Sequence, residues 1–195
     1  MPYNIKRAWD VLVLGGPSGA GKTSVSYPLA RRYGVAICEI DDMCITAEAM
    51  TTPEQQPVLH YWNTHPEAAD LPPDMIVEHF IRVCRVLAPA VSAVIANHLE
   101  TNMPVVLDGD YALPEQFAEA SERVRAVFIY EPDEDVILSN LKTREPGWTD
   151  HEKRSQVGRL FGQWLKDECE RLGLPVVQAR PWDTVIDRVA KAAAR

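Results

Sequence analysis

The chain has 195 residues, with 20 Lys and Arg against 28 Asp and Glu and a net charge of −8. That balance argues against a general nucleic-acid surface, which needs clustered Lys and Arg, while leaving room for a local basic pocket. With 46% hydrophobic and 25% charged residues, the chain reads as one globular domain, residues 1–195, able to bury a core without staples.

Lys6 and Arg7 lie near the N-terminus, but the apolar run behind them is too short for a secretory signal. That run, Val11-Leu12-Val13-Leu14, reads as a buried strand over residues 10–14. Immediately after it, Gly16-Pro17-Ser18-Gly19-Ala20-Gly21-Lys22-Thr23 spells G-x-x-x-x-G-K-T, the pattern of a phosphate-binding loop between a strand and a helix. Its glycines let the backbone curl so that successive N–H groups face phosphate oxygens. The following helix, 24–33, adds the positive end of its dipole and stops at Gly34. Lys22 is expected to reach the outer phosphates and the Thr23 hydroxyl to ligate Mg²⁺. ATP is therefore expected over residues 16–24, from Gly16 to Ser24.

A second strand is predicted over 35–40 and is followed by Asp41-Asp42. Residues 45–73 are rich in Pro, Thr, Gln and Glu, and include His60-Tyr61-Trp62-Asn63-Thr64-His65. They read as a loop or small lobe overhanging the sheet, its aromatic cluster either lining a pocket or packing the lobe itself. Apolar residues at helical spacing predict a helix over 74–100, with Pro89 expected to kink or break it. The third strand, 104–107, leads into Asp108-Gly109-Asp110, and a fourth is predicted over 125–130. An acidic-ended helix at 133–142 comes next. Residues 144–153, with Arg144, Gly147 and Trp148, read as a second overhanging loop. Thr149-Asp150-His151-Glu152 fits a capping box with Thr149 as N-cap. A fifth strand, 175–178, precedes Ala179-Arg180-Pro181 and a last helix over 182–194.

Strands alternating with helices imply an α/β three-layer sandwich with a five-stranded parallel sheet. Ligands of such sheets bind beyond the carboxyl ends of the strands. The phosphate loop, Asp41, Asp42, Asp108 and Asp110 all fall there. Phosphoryl transfer needs that cradle, Mg²⁺, an oriented acceptor and charge-balancing cations. Asp108 is the natural Mg²⁺ carboxylate with Thr23. Asp41 or Asp42 is placed to accept an acceptor proton, and Arg144 or Arg154 to close over the phosphates. Cys38, Cys44, Cys84 and Cys169 are scattered, without zinc spacing, and read as free thiols of a reducing compartment. No stretch approaches ~18 uninterrupted apolar residues, so no membrane helix is expected and a cytoplasmic location is.

The phosphate loop, the Asp-Asp after the second strand, the Asp-Gly after the third and the arginine-bearing segment before the last helices resemble the nucleoside-monophosphate-kinase-like branch of P-loop kinases. Shikimate kinase, gluconokinase, chloramphenicol phosphotransferase and adenylate kinase belong to that branch. The resemblance implies strand order 2-3-1-4-5, ATP with Mg²⁺, an acceptor lobe at 45–73 and a lid at 144–154. It implies Asp41 as the residue that binds or deprotonates an acceptor hydroxyl, with Asp42 its close rival. It further implies Lys22 and Arg144 as catalytic cations and Arg180 beside the adenine. One departure narrows the acceptor. Nucleotide kinases of the branch carry an arginine soon after the third-strand Asp-Gly, where this chain has Asp110-Tyr111-Ala112-Leu113-Pro114. A monophosphate would be repelled by Asp110. A small hydroxylated acceptor, touched by Asp41, Asp42, Asp110 and Trp62, is expected instead. The alternatives are a nucleotide kinase, or a nucleotide-dependent switch with no acceptor.

Overall fold

Five strands alternate with helices along the chain, and each apolar run finds its place in one sheet. The computed structural model describes residues 7–194. The strands are β1 (Val11–Gly15), β2 (Ala36–Glu39), β3 (Val105–Gly109), β4 (Val124–Tyr130) and β5 (Val176–Gln178). All pairings are parallel, in the order β2-β3-β1-β4-β5. The register sets Leu14 beside Asp108 and Gly15 beside Gly109, so the phosphate loop and the third-strand carboxylates emerge at one edge. The central strand β1 is wholly buried, which is why it carries continuous Val and Leu rather than alternation.

The two faces of that strand supply two cores. Val11 and Val13 point into one cluster with Val105, Leu107, Phe128, Phe161 and Leu165. Leu12 and Leu14 point into the other with Val25, Leu29, Val127, Val185 and Val189. The first is covered by helices α4 (Pro73–Glu100) and α6 (His151–Leu172), the second by α1 (Thr23–Tyr33) and α7 (Val185–Ala193). The remaining helices are α2 (Ile40–Met50), α3 (Tyr61–Thr64) and α5 (Glu134–Arg144).

Several boundaries differ from the sequence reading. Pro89 neither breaks nor ends α4, which runs unbroken for 28 residues. Val83 and Leu87 before it and Val91 after it are buried, and that shared packing carries the helix past the missing amide. Among the described residues α4 is the helix long and apolar enough to cross a membrane, yet Val77, Ile81, Cys84 and Val91 on it are buried in the core beside α6. The segment 45–73 is not a plain loop. Its first six residues complete α2, and a 3₁₀ turn, Pro66–Asp70, follows α3. Asp41 and Asp42 thus stand in the first turn of a helix rather than in a strand-end loop. Thr149 is not the N-cap of α6. Asp150 holds that place, without a side-chain cap bond. The preceding residues are drawn elsewhere, Trp148 donating its amide to the Glu145 carbonyl (3.1 Å) and lying under the Arg154 guanidinium. Finally, residues 182–184 form a 3₁₀ turn before α7 begins.

Candidate active site

Between β1 and α1 the chain turns on glycines. Gly16 and Gly21 have φ of 152° and 88°, where L-residues are strained. A Cβ at Gly16 would stand 2.3 Å from the Ile129 carbonyl oxygen, and one at Gly21 2.4 Å from the Trp182 ring. The Ala20 amide closes a turn onto the Pro17 carbonyl (3.2 Å). The amides of Gly19, Gly21 and Lys22 have no protein acceptor among the described residues. Unpaired amides opening an eleven-residue helix make a cradle for an anion.

Lys22 is 6% exposed. Its ammonium donates to the Pro17 carbonyl (3.1 Å) and pairs with the Asp110 carboxylate. Burial alone would depress its pKa, but the carboxylates of Asp110, Asp108 and Asp41 outweigh burial and hold it above the ordinary value. Asp108 is buried, with Oδ2 accepting from Ser26 Oγ at 2.8 Å and Oδ1 lacking any partner. Burial raises its pKa against the opposing pull of Lys22, Ser26 and Thr23. A buried carboxylate oxygen left unpaired beside Thr23 suits an ordered, metal-bound water. No group of three His, Cys, Asp or Glu among the described residues holds a metal alone. The donor set therefore fits Mg²⁺, which binds through one or two carboxylates together with nucleotide phosphates.

Asp41 reaches back from α2, its Oδ1 accepting the Asp110 amide at 3.1 Å. Burial, then the Asp110 carboxylate, push its pKa up to about 6. Gly109 makes this approach possible. A Cβ there would stand 2.6 Å from the Ile40 Cβ and 2.9 Å from Asp41 Oδ1.

Two cavities flank the loop. One, of about 560 Å³, is lined by Gly19, Gly21, Lys22, Thr23, Ser24, Arg144, Arg180 and Trp182. Here Arg144 donates to Ser18 Oγ (2.8 Å) and pairs with Glu145 (2.6 Å). Arg180 lies 3.5 Å from the buried Glu131. The second cavity, of about 370 Å³, shares Pro17 and Ser18 and is walled by Trp62, Ile76, Phe80, Val157 and Phe161, with Asp110 on its wall. Asp110 thus touches the phosphate-loop lysine on one side and the second cavity on the other.

The other expected residues divide. Trp62 lines the second cavity. Asp42 does not. One residue further round α2, Asp42 is exposed and lines an outer groove with Tyr27 and Met43. Most of the aromatic cluster packs the lobe itself. Tyr61 stacks on His65 (4.4 Å) and lies against His79 (4.1 Å), while buried His60 meets Thr51 Oγ1 at 2.9 Å. Arg154 joins the cavity wall, bound to Glu145, whereas Arg159 is engaged with Glu134 (3.0 Å). Arg82, Arg85 and Arg123 are paired with Glu78, Glu115 and Asp10, and none lines either cavity.

Sequence reasoning missed Ser26, Trp182 and the wall formed by Phe80 and Phe161. It also missed Gly158 and Gly162, where a Cβ would come 3.1 Å from the Ser18 carbonyl oxygen and 3.2 Å from Pro17 Cγ. Two glycines four apart on one face of α6 let that helix lie against the phosphate loop, and their spacing was the available signal.

No protein-family model matches the chain, and no curated protein is similar to it in sequence. Solved structures are similar in fold. Shikimate kinase from Acinetobacter baumannii, in complex with shikimate, has a TM-score of 0.56 at 17% identity, covering 97% of this chain and 94% of that one. A gluconokinase from Sinorhizobium meliloti has a TM-score of 0.50 at 18% identity, with the same coverages. Dephospho-CoA kinase from Campylobacter jejuni has a TM-score of 0.51 at 9% identity, covering 93% and 94%. With the strand order and the glycine loop, these likenesses give the chain the P-loop NTPase fold in the form seen in such kinases.

Proposed function

We propose that the protein is an ATP- and Mg²⁺-dependent phosphotransferase that moves the γ-phosphoryl group of ATP to a hydroxyl of a small molecule. One observation carries the reading. A single glycine loop separates two cavities, and Lys22 spans from one to a carboxylate, Asp110, on the wall of the other. That is the layout a transfer between two bound molecules requires. A cytoplasmic location accords with it.

Mg·ATP supplies the phosphoryl group and neutralises part of its charge. Free amides at Gly19, Gly21 and Lys22 would hold phosphate oxygens, and Thr23 and Asp108 the metal shell. Arg180 and Trp182 would border the base, and Arg144, already over Ser18, the phosphates. As phosphate draws Lys22 away, Asp110 is freed to hydrogen-bond the acceptor hydroxyl. The new bond forms between that oxygen and the γ-phosphorus, the bond to the ADP oxygen breaks, and the hydroxyl proton passes to the Asp110 carboxylate. Asp41, the proton acceptor expected from the sequence, lines neither cavity and accepts the Asp110 amide, so its proposed role becomes that of positioning Asp110.

Calorimetry with Mg·ATP, followed by an ADP-release assay, tests this. Lys22→Ala is expected to lower transfer by roughly 100-fold or more. Asp110→Asn should do the same with ATP affinity nearly kept, and Asp41→Asn should cost less. Turnover equal to wild type in Asp110→Asn would remove the proton acceptor. A folded protein that gives no heat with Mg·ATP would end the proposal.

A further inference from the structure

The acceptor's chemistry can be narrowed beyond "a small alcohol", and this step rests on the kinase reading above. The second cavity, about 370 Å³, has the size of a metabolite site. Its wall is aromatic and aliphatic. Phe80 and Phe161 meet edge to face with centroids 5.0 Å apart, and Ile76, Val157 and Trp62 complete that side. A site for a polyol or hydroxy acid must offer a partner to nearly every hydroxyl, because a buried polar group left unpaired forfeits its hydrogen bonds to water. The polar side chains on this lining are Ser18, Asp110, Asp150, Lys153 and Arg154, beside the indole N–H groups of Trp62 and Trp148. Most of the charged or hydroxyl groups are already engaged: Ser18 accepts from Arg144 (2.8 Å), Asp110 pairs with Lys22, Lys153 donates to the Ala69 carbonyl (2.6 Å) and Arg154 pairs with Glu145. The wall thus rewards buried apolar surface, and Asp110 ties it to the phosphate-loop lysine.

We infer that the acceptor is an alcohol whose hydroxyl is borne on an apolar, ring-containing body, the ring lying against Phe80, Phe161, Ile76 and Val157 and the hydroxyl at Asp110. Such a body gains by desolvation on this wall, whereas a sugar loses.

The test compares 2-phenylethanol and 1-phenyl-1,3-propanediol with glycerol, D-gluconate, shikimate and adenosine monophosphate, on intact protein with Mg·ATP. ADP release and ³¹P NMR of the products are the readouts. The aryl alcohols are expected to raise ADP release and yield phosphate esters, with kcat/KM at least tenfold above any polyol. Val157→Asp, which sets a carboxylate against the ring, should raise KM for the aryl alcohols at least tenfold. Mg·ATP calorimetry on that variant reports that it is folded. If the variant does not fold, Ile76→Ser reads the same loss. Preference for a polyol, hydroxy acid or nucleotide, or aryl alcohols that leave ADP release unchanged although Mg·ATP binds, overturns the inference and leaves the kinase reading standing. Absence of Mg·ATP binding overturns both.

Discussion

Asp41→Asn should stabilise the protein, although it alters a residue at the heart of the site. The Asp41 carboxyl is pushed up to about 6 by burial and by the neighbouring Asp110 carboxylate, with Lys22 and the Asp110 amide pulling the other way. An unfolded aspartate titrates near 3.9, so the difference is about 2 pH units, or about 3 kcal/mol at 1.36 kcal/mol per unit. Because Asp41, Asp110 and Lys22 share their charges, about 1–2 kcal/mol is the expected net effect. The sign follows from proton counts. Between pH 4 and 6 the folded state holds a proton that the unfolded state has released, so stability falls as pH rises through that window. Below about 4 both states are protonated and no cost is felt, while above about 6 the whole cost is present. Asparagine keeps an oxygen to accept the Asp110 amide, 3.1 Å from Asp41 Oδ1, and removes the charge. Urea unfolding of both proteins at pH 4 and pH 7.5 checks this. The variant should be more stable by about 1–2 kcal/mol at pH 7.5, with the gap closing toward pH 4. A gap that does not change with pH, or a variant weaker at pH 7.5, would refute the assignment of a buried, repelled carboxylate.

Other consequences are equally open to measurement. Ser26→Ala removes the 2.8 Å hydrogen bond that Asp108 Oδ2 accepts and should cost about 1–3 kcal/mol in urea unfolding, with part recovered in Mg·ATP. Unchanged stability would mean that Asp108 finds another donor. Gly109→Ala sets a methyl 2.6 Å from the Ile40 Cβ and should destabilise by about 1–3 kcal/mol. An unaffected thermal midpoint would show that α2 can retreat. Trp182, 40% exposed beside Gly21, lines the cavity proposed for ATP, so Trp182→Ala should weaken ATP binding by about tenfold in calorimetry. Equal affinity would place the base elsewhere.

The sheet was legible because burial on both faces leaves an unmistakable trace. Leu12 and Leu14 serve one core and Val11 and Val13 the other, so β1 had no room for polar residues. The glycine loop was legible for a similar reason, since Gly16 and Gly21 stand where a methyl group would strike Ile129 or Trp182. The second cavity was not. Phe80 and Phe161 belong to helices far apart in sequence, and each looked like one more apolar position on an amphipathic face. Nothing local marks which apolar residues turn toward a cavity and which toward the sheet. Asp42 turns to an outer groove for a related reason. Local spacing did not reveal that the helix begins at Ile40, and on a helix consecutive residues diverge by about 100°.

The same topology accounts for the charge pattern. Parallel strands in register bring Asp108 and Asp110 from β3's end to Lys22 beside β1, and α2 delivers Asp41 from the far side of β3. Three carboxylates therefore share one buried ammonium, which holds the Lys22 pKa high while those of Asp41 and Asp108 are also raised. A site with an excess of buried negative charge is costly in isolation. It is also poised for added positive charge, and the unpaired Asp108 Oδ1 is the atom that lacks it. The features that make this excess charge expensive are thus those that would favour Mg·ATP over free ATP. The carboxylate of Asp110 is tolerated because Lys22 answers it within the same chain. A second anion brought in as acceptor would have to displace that pairing, whereas a neutral hydroxyl would only have to join it.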